Sequence, residues 1–194
     1  RVRQFQQSAR LELALAFLDG RADAARIATG LADVADLVIE RLLGSALRRS
    51  SRTGYPFSLM RVDVDGLEAL LEELAPADAA TLVDVYTSRL SQRLRPSDDV
   101  GRSDGDSFMV LAEDLGDVQD AAGVAYRLLS TVIEPITIGE HEIRLPMTIG
   151  IVVADGAAAS ADGLAATADA ALTEARQDGV GGFRIIDVRS GLAA

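Results

Sequence analysis

The sequence has no cysteine, no tryptophan and no lysine, and it has one histidine among its 194 residues. The absence of cysteine excludes disulfides and thiolate metal sites. With His141 as the one imidazole, a histidine-rich metal centre and a Ser-His-Asp triad are both disfavoured. The pattern around His141 instead favours an exposed position in a strand.

Positive charge and long apolar runs are also scarce. The net charge is −11, with nine arginines against six acids in residues 1–52 and ten against twenty-four after residue 52. This excess of acid argues against non-specific DNA binding, so we expect no nucleic-acid partner. Crossing a bilayer takes roughly 20 apolar residues, whereas LELALAFL is short and contains Glu12. We expect no membrane span here and, because the first residue is not methionine, a longer parent chain.

What the sequence does have is 48% hydrophobic residues, enough for a core. Apolar residues at helical spacing predict a helix over 1–20, ended by Gly20. We expect this lead-in helix to pack on the domain or on a partner, either a second copy or another protein. A second helix is predicted before the break at Gly54-Tyr55-Pro56.

The remaining pattern predicts one α+β domain in the order βααβαββαβ. Strands are expected over 57–66, 107–112 and 182–188, and a hairpin over 136–155 with its turn near Gly139-Glu140. Helices are expected over 67–74, 78–94, 117–132 and 160–176, the last one capped by Ser160. We expect the sheet on one side and the helices on the other.

The stretch RPSDDVGRSDGDSFMVL, residues 95–111, is the most unusual part of the chain. It places four aspartates around two glycines directly before an apolar strand. Acids repel one another and glycine weakens a sheet, so the stretch is either a metal loop, the remains of one, or a solvated hairpin.

Five motifs in order resemble the GGDEF, or diguanylate cyclase, family. They are Ala28–Asp33, Asp63–Glu72, the run from Arg95 through Arg102 to Phe108, Thr148–Val152, and Ala168–Arg176 followed by Gly179. The resemblance implies a nucleotidyl-cyclase-like, palm-type fold with a central, largely antiparallel sheet and surrounding helices. It further implies a lead-in at 1–26, a degenerate GGDEF domain at 27–189 and a tail at 190–194.

The resemblance also implies a chemistry. In the family, two subunits each hold one GTP with Mg²⁺ and condense the two GTP molecules into cyclic di-GMP. The expected metal ligands here are Asp63, the carbonyl of Val64, and Asp106, while the second hairpin acid is replaced by Ser107. The alternative is that Asp63 and Asp106 merely cap a turn or bind a stray cation.

Several substitutions predict that this chemistry is lost. Asp104 replaces a family glycine next to the phosphates, and Glu68 stands where the family has a lysine that faces phosphate. Leu71 and Ala80 replace two residues that read guanine, although Arg176 could still hold a phosphate. We therefore expect no intact catalytic set, no required cofactor, and Mg²⁺ at most at a vestigial site.

The product-binding site of the family is better matched. Arg95 and Asp98 form its R-x-x-D motif, with five residues between Asp98 and Asp104, and Arg127 aligns with a second arginine. An arginine fork can pair with the O6 and N7 edge of guanine, and an aspartate can accept from N1–H and N2–H₂. The alternative is an Arg–Asp pair that caps the helix end near Pro96.

We therefore predict an inactive, regulatory domain of bacterial signalling that binds cyclic di-GMP at Arg95, Asp98 and Arg127. One alternative is a nucleotide-free dimerisation or scaffold domain, and another is a GTP-binding allosteric domain beside a phosphodiesterase domain. Weak residual cyclase activity is the third. Each of these implies a location in the cytoplasm, or on the cytoplasmic side of a membrane-anchored protein.

Overall fold

A computed structural model of the chain describes residues 41–103, 107–158 and 160–190. The predicted helix over 1–20, the boundary near residue 26 and most of the predicted tail lie outside these ranges. Asp104 and Asp106 lie outside them too. Among the described residues, no helix combines the length and the apolar character that a bilayer crossing requires.

The described chain alternates strands and helices, beginning with helical residues 41–53 (α1). The next elements are β1 Phe57–Val64, α2 Leu67–Glu73, α3 Pro76–Gln92, β2 Asp99–Arg102 and β3 Ser107–Ala112. They are followed by α4 Val118–Leu129, a 3₁₀ turn Ser130–Val132, β4 Ile136–Ile138, β5 His141–Ile143, β6 Met147–Ala154, α5 Ala161–Asp178 and β7 Phe183–Asp187.

Five strands form the main sheet in the order β2-β3-β1-β6-β7. Only the β6–β7 pairing is parallel, and the other three pairings are antiparallel. β1 and β6 are central strands with almost uniformly buried residues, as expected when both faces of a sheet are covered. Since β1 lies between β3 and β6, the side chains at the end of β1 are flanked by side chains of both neighbouring strands.

Each face of the sheet packs against helices. On one face, Met60, Val62 and Val64 join a cluster with the buried residues of α3 and α4. On the other face, Phe57 and Leu59 pack against residues of α1 and α5. The period-2 alternation of β1 produces this division. The expectation that helices cover only one side of the sheet is therefore wrong. Both β1 and β6 carry apolar residues on each of their two faces, so each face needs a cover.

Gly150 allows α5 to lie directly on the sheet. A Cβ atom at this position would come within 2.2 Å of the Leu172 nitrogen and 2.3 Å of the Ala168 carbonyl oxygen. Such distances are sterically forbidden, so only glycine permits this approach of helix to strand. The approach brings the end of α5 over the end of β1.

The predicted elements agree with the structure apart from two differences. β2 was missed, because DVGR has the charge and glycine of a loop, which an edge strand tolerates. The predicted hairpin is split: β4 and β5 pair around the expected turn, whereas β6 joins the main sheet. Ser160 does cap α5, accepting the backbone N–H of Gly163 at 3.0 Å, and His141 is exposed in β5.

Candidate functional site

The candidate site is centred on Asp63, near the end of the central strand β1. Asp63 lies across from Ser107 of β3 on one side and from Thr148 of β6 on the other. Its side chain lies on the sheet face that α5 covers, and the residue is only 2% exposed. A carboxylate buried this deeply needs an opposite charge or hydrogen-bond donors.

Arg176, in the last turn of α5, supplies an opposite charge. Its Nη2 atom is 2.5 Å from Oδ2 of Asp63, and its side chain is 47% exposed against 3% for the aspartate. Two turns earlier on the same helix, Asp169 Oδ1 accepts from Arg61 Nε at 2.9 Å. Two ion pairs of opposite polarity therefore connect β1 with α5.

Arg61 also anchors the base of the acidic hairpin. Its Nη1 donates to Ser103 Oγ at 2.8 Å, and the Ser103 N–H donates to the Ser107 carbonyl at 2.9 Å. The hairpin tip, residues 104–106, lies outside the described residues. Asp63, Val64, Ser107 and Arg176 lie together around the end of β1, whereas the roles proposed for them and the positions of Asp104 and Asp106 stay predictions.

Asp65 has a different role from Asp63. It follows the end of β1, in a turn completed by Gly66 at φ 83°. Its Oδ2 accepts from Thr148 Oγ1 at 3.0 Å, and its N–H donates to the Pro146 carbonyl at 2.9 Å. Asp65 therefore stabilises the turn between β1 and α2.

The helices beside this turn carry the substituted positions. Glu68 is exposed in the first turn of α2, where the helix dipole favours an acid. Leu71 is half-buried and packs against the main core. Ala80 is exposed on α3. None of these three side chains offers a positive charge or an amide.

The R-x-x-D motif forms a compact turn between α3 and β2. Asp98 Oδ2 accepts the backbone N–H of Arg95 at 2.9 Å, and the Asp98 N–H donates back to the Arg95 carbonyl at 3.0 Å. On α4, Arg127 Nε donates to the Arg93 carbonyl at 3.1 Å. Arg127 is therefore held against the end of α3, two residues before Arg95, and both Arg127 and Arg95 are exposed.

A buried ion pair that the sequence reading missed lies at the far end of β3. Arg49 of α1 is 2.5 Å from Glu113 Oε2, and the glutamate side chain is 7% exposed. Burial raises the pKa of Glu113, with further increments from Asp114, Asp99 and Asp98, and Arg49 only partly opposes the rise. No motif signals this pair, because its partners are 64 residues apart in sequence.

Comparison with known proteins identifies the family behind this arrangement. Residues 29–181 match the model of the family described as "Diguanylate cyclase, GGDEF domain". The chain belongs to the GGDEF domain family. The matched GGDEF region includes every element from β1 through α5.

Two similar curated proteins come from Pseudomonas aeruginosa. The bifunctional diguanylate cyclase/cyclic di-GMP phosphodiesterase MucR is 27% identical over 147 residues, which cover 76% of this chain and 21% of MucR. The diguanylate cyclase TpbB is 29% identical over 59% of this chain and 26% of TpbB. The chain thus spans about a quarter or less of the length of these curated relatives.

Solved structures share the fold. The crystal structure of the GGDEF domain of YfiN (TpbB) from P. aeruginosa has a TM-score of 0.70 at 27% identity, covering 77% of this chain and 93% of that one. The GGDEF domain of DgcB from Caulobacter crescentus, solved in complex with cyclic di-GMP, has a TM-score of 0.63 at 14% identity, with coverages of 80% and 89%. The expected α+β fold is confirmed.

Diguanylate cyclases of the GGDEF family use Mg²⁺, which prefers near-octahedral coordination by several oxygens. Among the described residues, no group of three or more His, Cys, Asp or Glu side chains could hold a metal ion. Asp63 and the neutral Ser107 are adjacent, but the guanidinium of Arg176 contacts the same carboxylate. The described residues therefore do not fit a magnesium ion.

Proposed function

We propose that this chain is a regulatory GGDEF domain that binds cyclic di-GMP at Arg95, Asp98 and Arg127 and does not synthesise it. The observation that carries the proposal is the hydrogen bond from Arg127 Nε to the Arg93 carbonyl. It holds an exposed arginine of α4 at the end of α3, directly before the R-x-x-D turn, although the bonded residues are 34 positions apart in sequence.

The chemistry of this turn suits a guanine dinucleotide. Two exposed arginines offer planar forks that can pair with a guanine edge, stack on a base or bind a phosphate. The carboxylate of Asp98 is oriented by the Arg95 N–H, and its other oxygen can accept from guanine. Together these groups would match both the negative charge and the base edges of cyclic di-GMP.

The inactivity rests on charge and hydrogen bonding in the family's substrate pocket. Glu68 puts a negative charge where the family has a lysine, and two like charges 5 Å apart repel by about 3 kcal/mol at an effective dielectric of 20. The half-buried Leu71 packs against the core and has no polar group to read a base. Loss of each such polar contact costs about 1–3 kcal/mol. The ion pair between Asp63 and Arg176 removes a further ligand.

Calorimetric titration with cyclic di-GMP tests the binding. We expect saturable heat with the wild type and a roughly 5- to 150-fold weaker affinity in Arg95→Ala and in Arg127→Ala, the range of about 1–3 kcal/mol per arginine–guanine pair. Arg52→Ala is the matched control, because Arg52 is an exposed arginine on α1. Absence of heat with the wild type, or unchanged affinity in Arg95→Ala, contradicts the proposal.

Incubation with GTP and Mn²⁺, followed by chromatography, tests the inactivity. We expect GTP to be recovered unchanged. Formation of cyclic di-GMP above a protein-free control would show residual cyclase activity and overturn this half of the proposal, whatever the calorimetry shows.

A scaffold role without nucleotide is the second candidate. It is favoured by one observation: the Asp98 carboxylate already serves the Arg95 backbone within its own turn. A negative calorimetric screen together with a dimer in light scattering would support this role. In both cases the domain would act in the cytoplasm, where the GTP-derived messenger is made and sensed.

A further inference from the structure

The buried carboxylate of Asp63 raises the question of which cation compensates it in this chain. In the family the expected answer is a divalent metal, which the described residues here do not fit. We infer that Arg176 is a built-in counter-ion that takes the place of that metal, so that the fold around Asp63 is complete without divalent cations. This inference does not depend on cyclic di-GMP binding.

The asymmetry of burial supports this role. Asp63 is almost fully buried, whereas the Arg176 side chain is half exposed. The arginine therefore gives up little of its own hydration, while it neutralises a carboxylate that has lost nearly all of its water. A single guanidinium balances a single carboxylate, whereas a divalent ion would need further acids to balance its charge.

The helix that carries Arg176 is held in place independently. Gly150 lets the α5 backbone contact β6 at Leu172 and Ala168. The Arg61–Asp169 pair fixes the same helix along β1 with the reverse polarity. Because strand and helix each supply one anion and one cation, sliding α5 along β1 would break both pairs. Arg176 is thus positioned by the fold rather than by a ligand.

Thermal unfolding of the full chain tests this inference, in EDTA and in excess Mn²⁺. The wild-type Tm should be the same in both solutions. Arg176→Gln removes the guanidinium from beside a buried carboxylate, so its Tm in EDTA should fall by about 10 °C, and Mn²⁺ should restore part of the loss. Asp63→Asn combined with Arg176→Gln should lose less and should not respond to Mn²⁺.

Arg184→Gln is the matched control, because Arg184 pairs with Glu174 on the surface, with side chains 52% and 48% exposed. Exposed pairs contribute little, so its Tm should shift by no more than about 2 °C. A wild-type Tm that Mn²⁺ raises, or an Arg176→Gln Tm equal to that of Arg184→Gln, would overturn the inference.

Direct metal binding covers the case in which Arg176→Gln does not fold. Mn²⁺ titration of the wild type, followed by electron paramagnetic resonance, should show no site that depends on Asp63. Mn²⁺ that is bound by the wild type and lost in Asp63→Asn would overturn the inference, and its absence from the wild type would support it.

Discussion

Gly150→Ala is the substitution whose effect follows most directly from the geometry of the sheet. The new methyl group would lie 2.2 Å from the Leu172 nitrogen and 2.3 Å from the Ala168 carbonyl oxygen. Both atoms belong to the helix backbone, so no rotamer change can relieve the overlap. The helix α5 would have to retreat by roughly 1 Å, and close-packed interiors do not absorb such a shift without loss.

The size of the stability loss depends on the contacts between α5 and the sheet that this shift would weaken. A gap of about 0.5–1 Å removes a quarter to a half of the dispersion energy between the facing atoms. The inward face of α5 is buried at Leu164, Ala168, Ala171, Leu172 and Ala175. Overpacked cores typically lose 1–3 kcal/mol, and we expect about 3 kcal/mol here because the obstacle is backbone.

Urea denaturation followed by circular dichroism measures this loss. The matched control is Gly123→Ala, since nothing lies within 4 Å of a Cβ atom at Gly123 in α4. That change should stabilise the protein by up to about 1 kcal/mol, the usual gain of alanine over glycine in a helix. A loss below about 1 kcal/mol in Gly150→Ala, or an equal loss in the control, would refute the reasoning.

Three further predictions concern polar contacts. Burial raises the pKa of Glu113, so the wild type loses stability as pH rises and this carboxylate ionises. Glutamine does not ionise, so the free energy of unfolding of Glu113→Gln minus that of the wild type should increase from pH 4 to pH 7. The hydrogen bond from Arg189 lowers the pKa of Asp187. The ionised Asp187 therefore stabilises the fold above the usual aspartate pKa, and this stabilisation is lost as pH falls through the lowered pKa. Asp187→Asn should thus destabilise the protein at pH 7 and much less at pH 3. Both follow from denaturation at several pH values, and a pH-independent difference would contradict either. Arg89 donates to carbonyls of the segment 131–135, so Arg89→Ala should cost about 1–3 kcal/mol, and a neutral result in the same assay would contradict this role.

Local and periodic features could be predicted well from the residues. The alternation in β1, the strand at 107–112 and the cap at Ser160 all depend on residues that are neighbours in sequence. Each of them can therefore be predicted from its own segment. The spacing of the acids and of the R-x-x-D motif is also a local feature of the sequence, and it predicted the correct family.

Contacts between distant segments needed the tertiary structure. The pairing of Asp63 with Arg176, the reach of Arg127 to the Arg93 carbonyl, and the buried Arg49–Glu113 pair each join residues more than thirty positions apart. Their formation depends on the order of strands and helices in space and, for the Asp63–Arg176 pair, on the close approach that Gly150 allows. Neither feature gives a periodic pattern in the sequence. The amino-acid sequence by itself therefore determined which chemical groups are available, whereas the tertiary structure decided which of these groups contact one another.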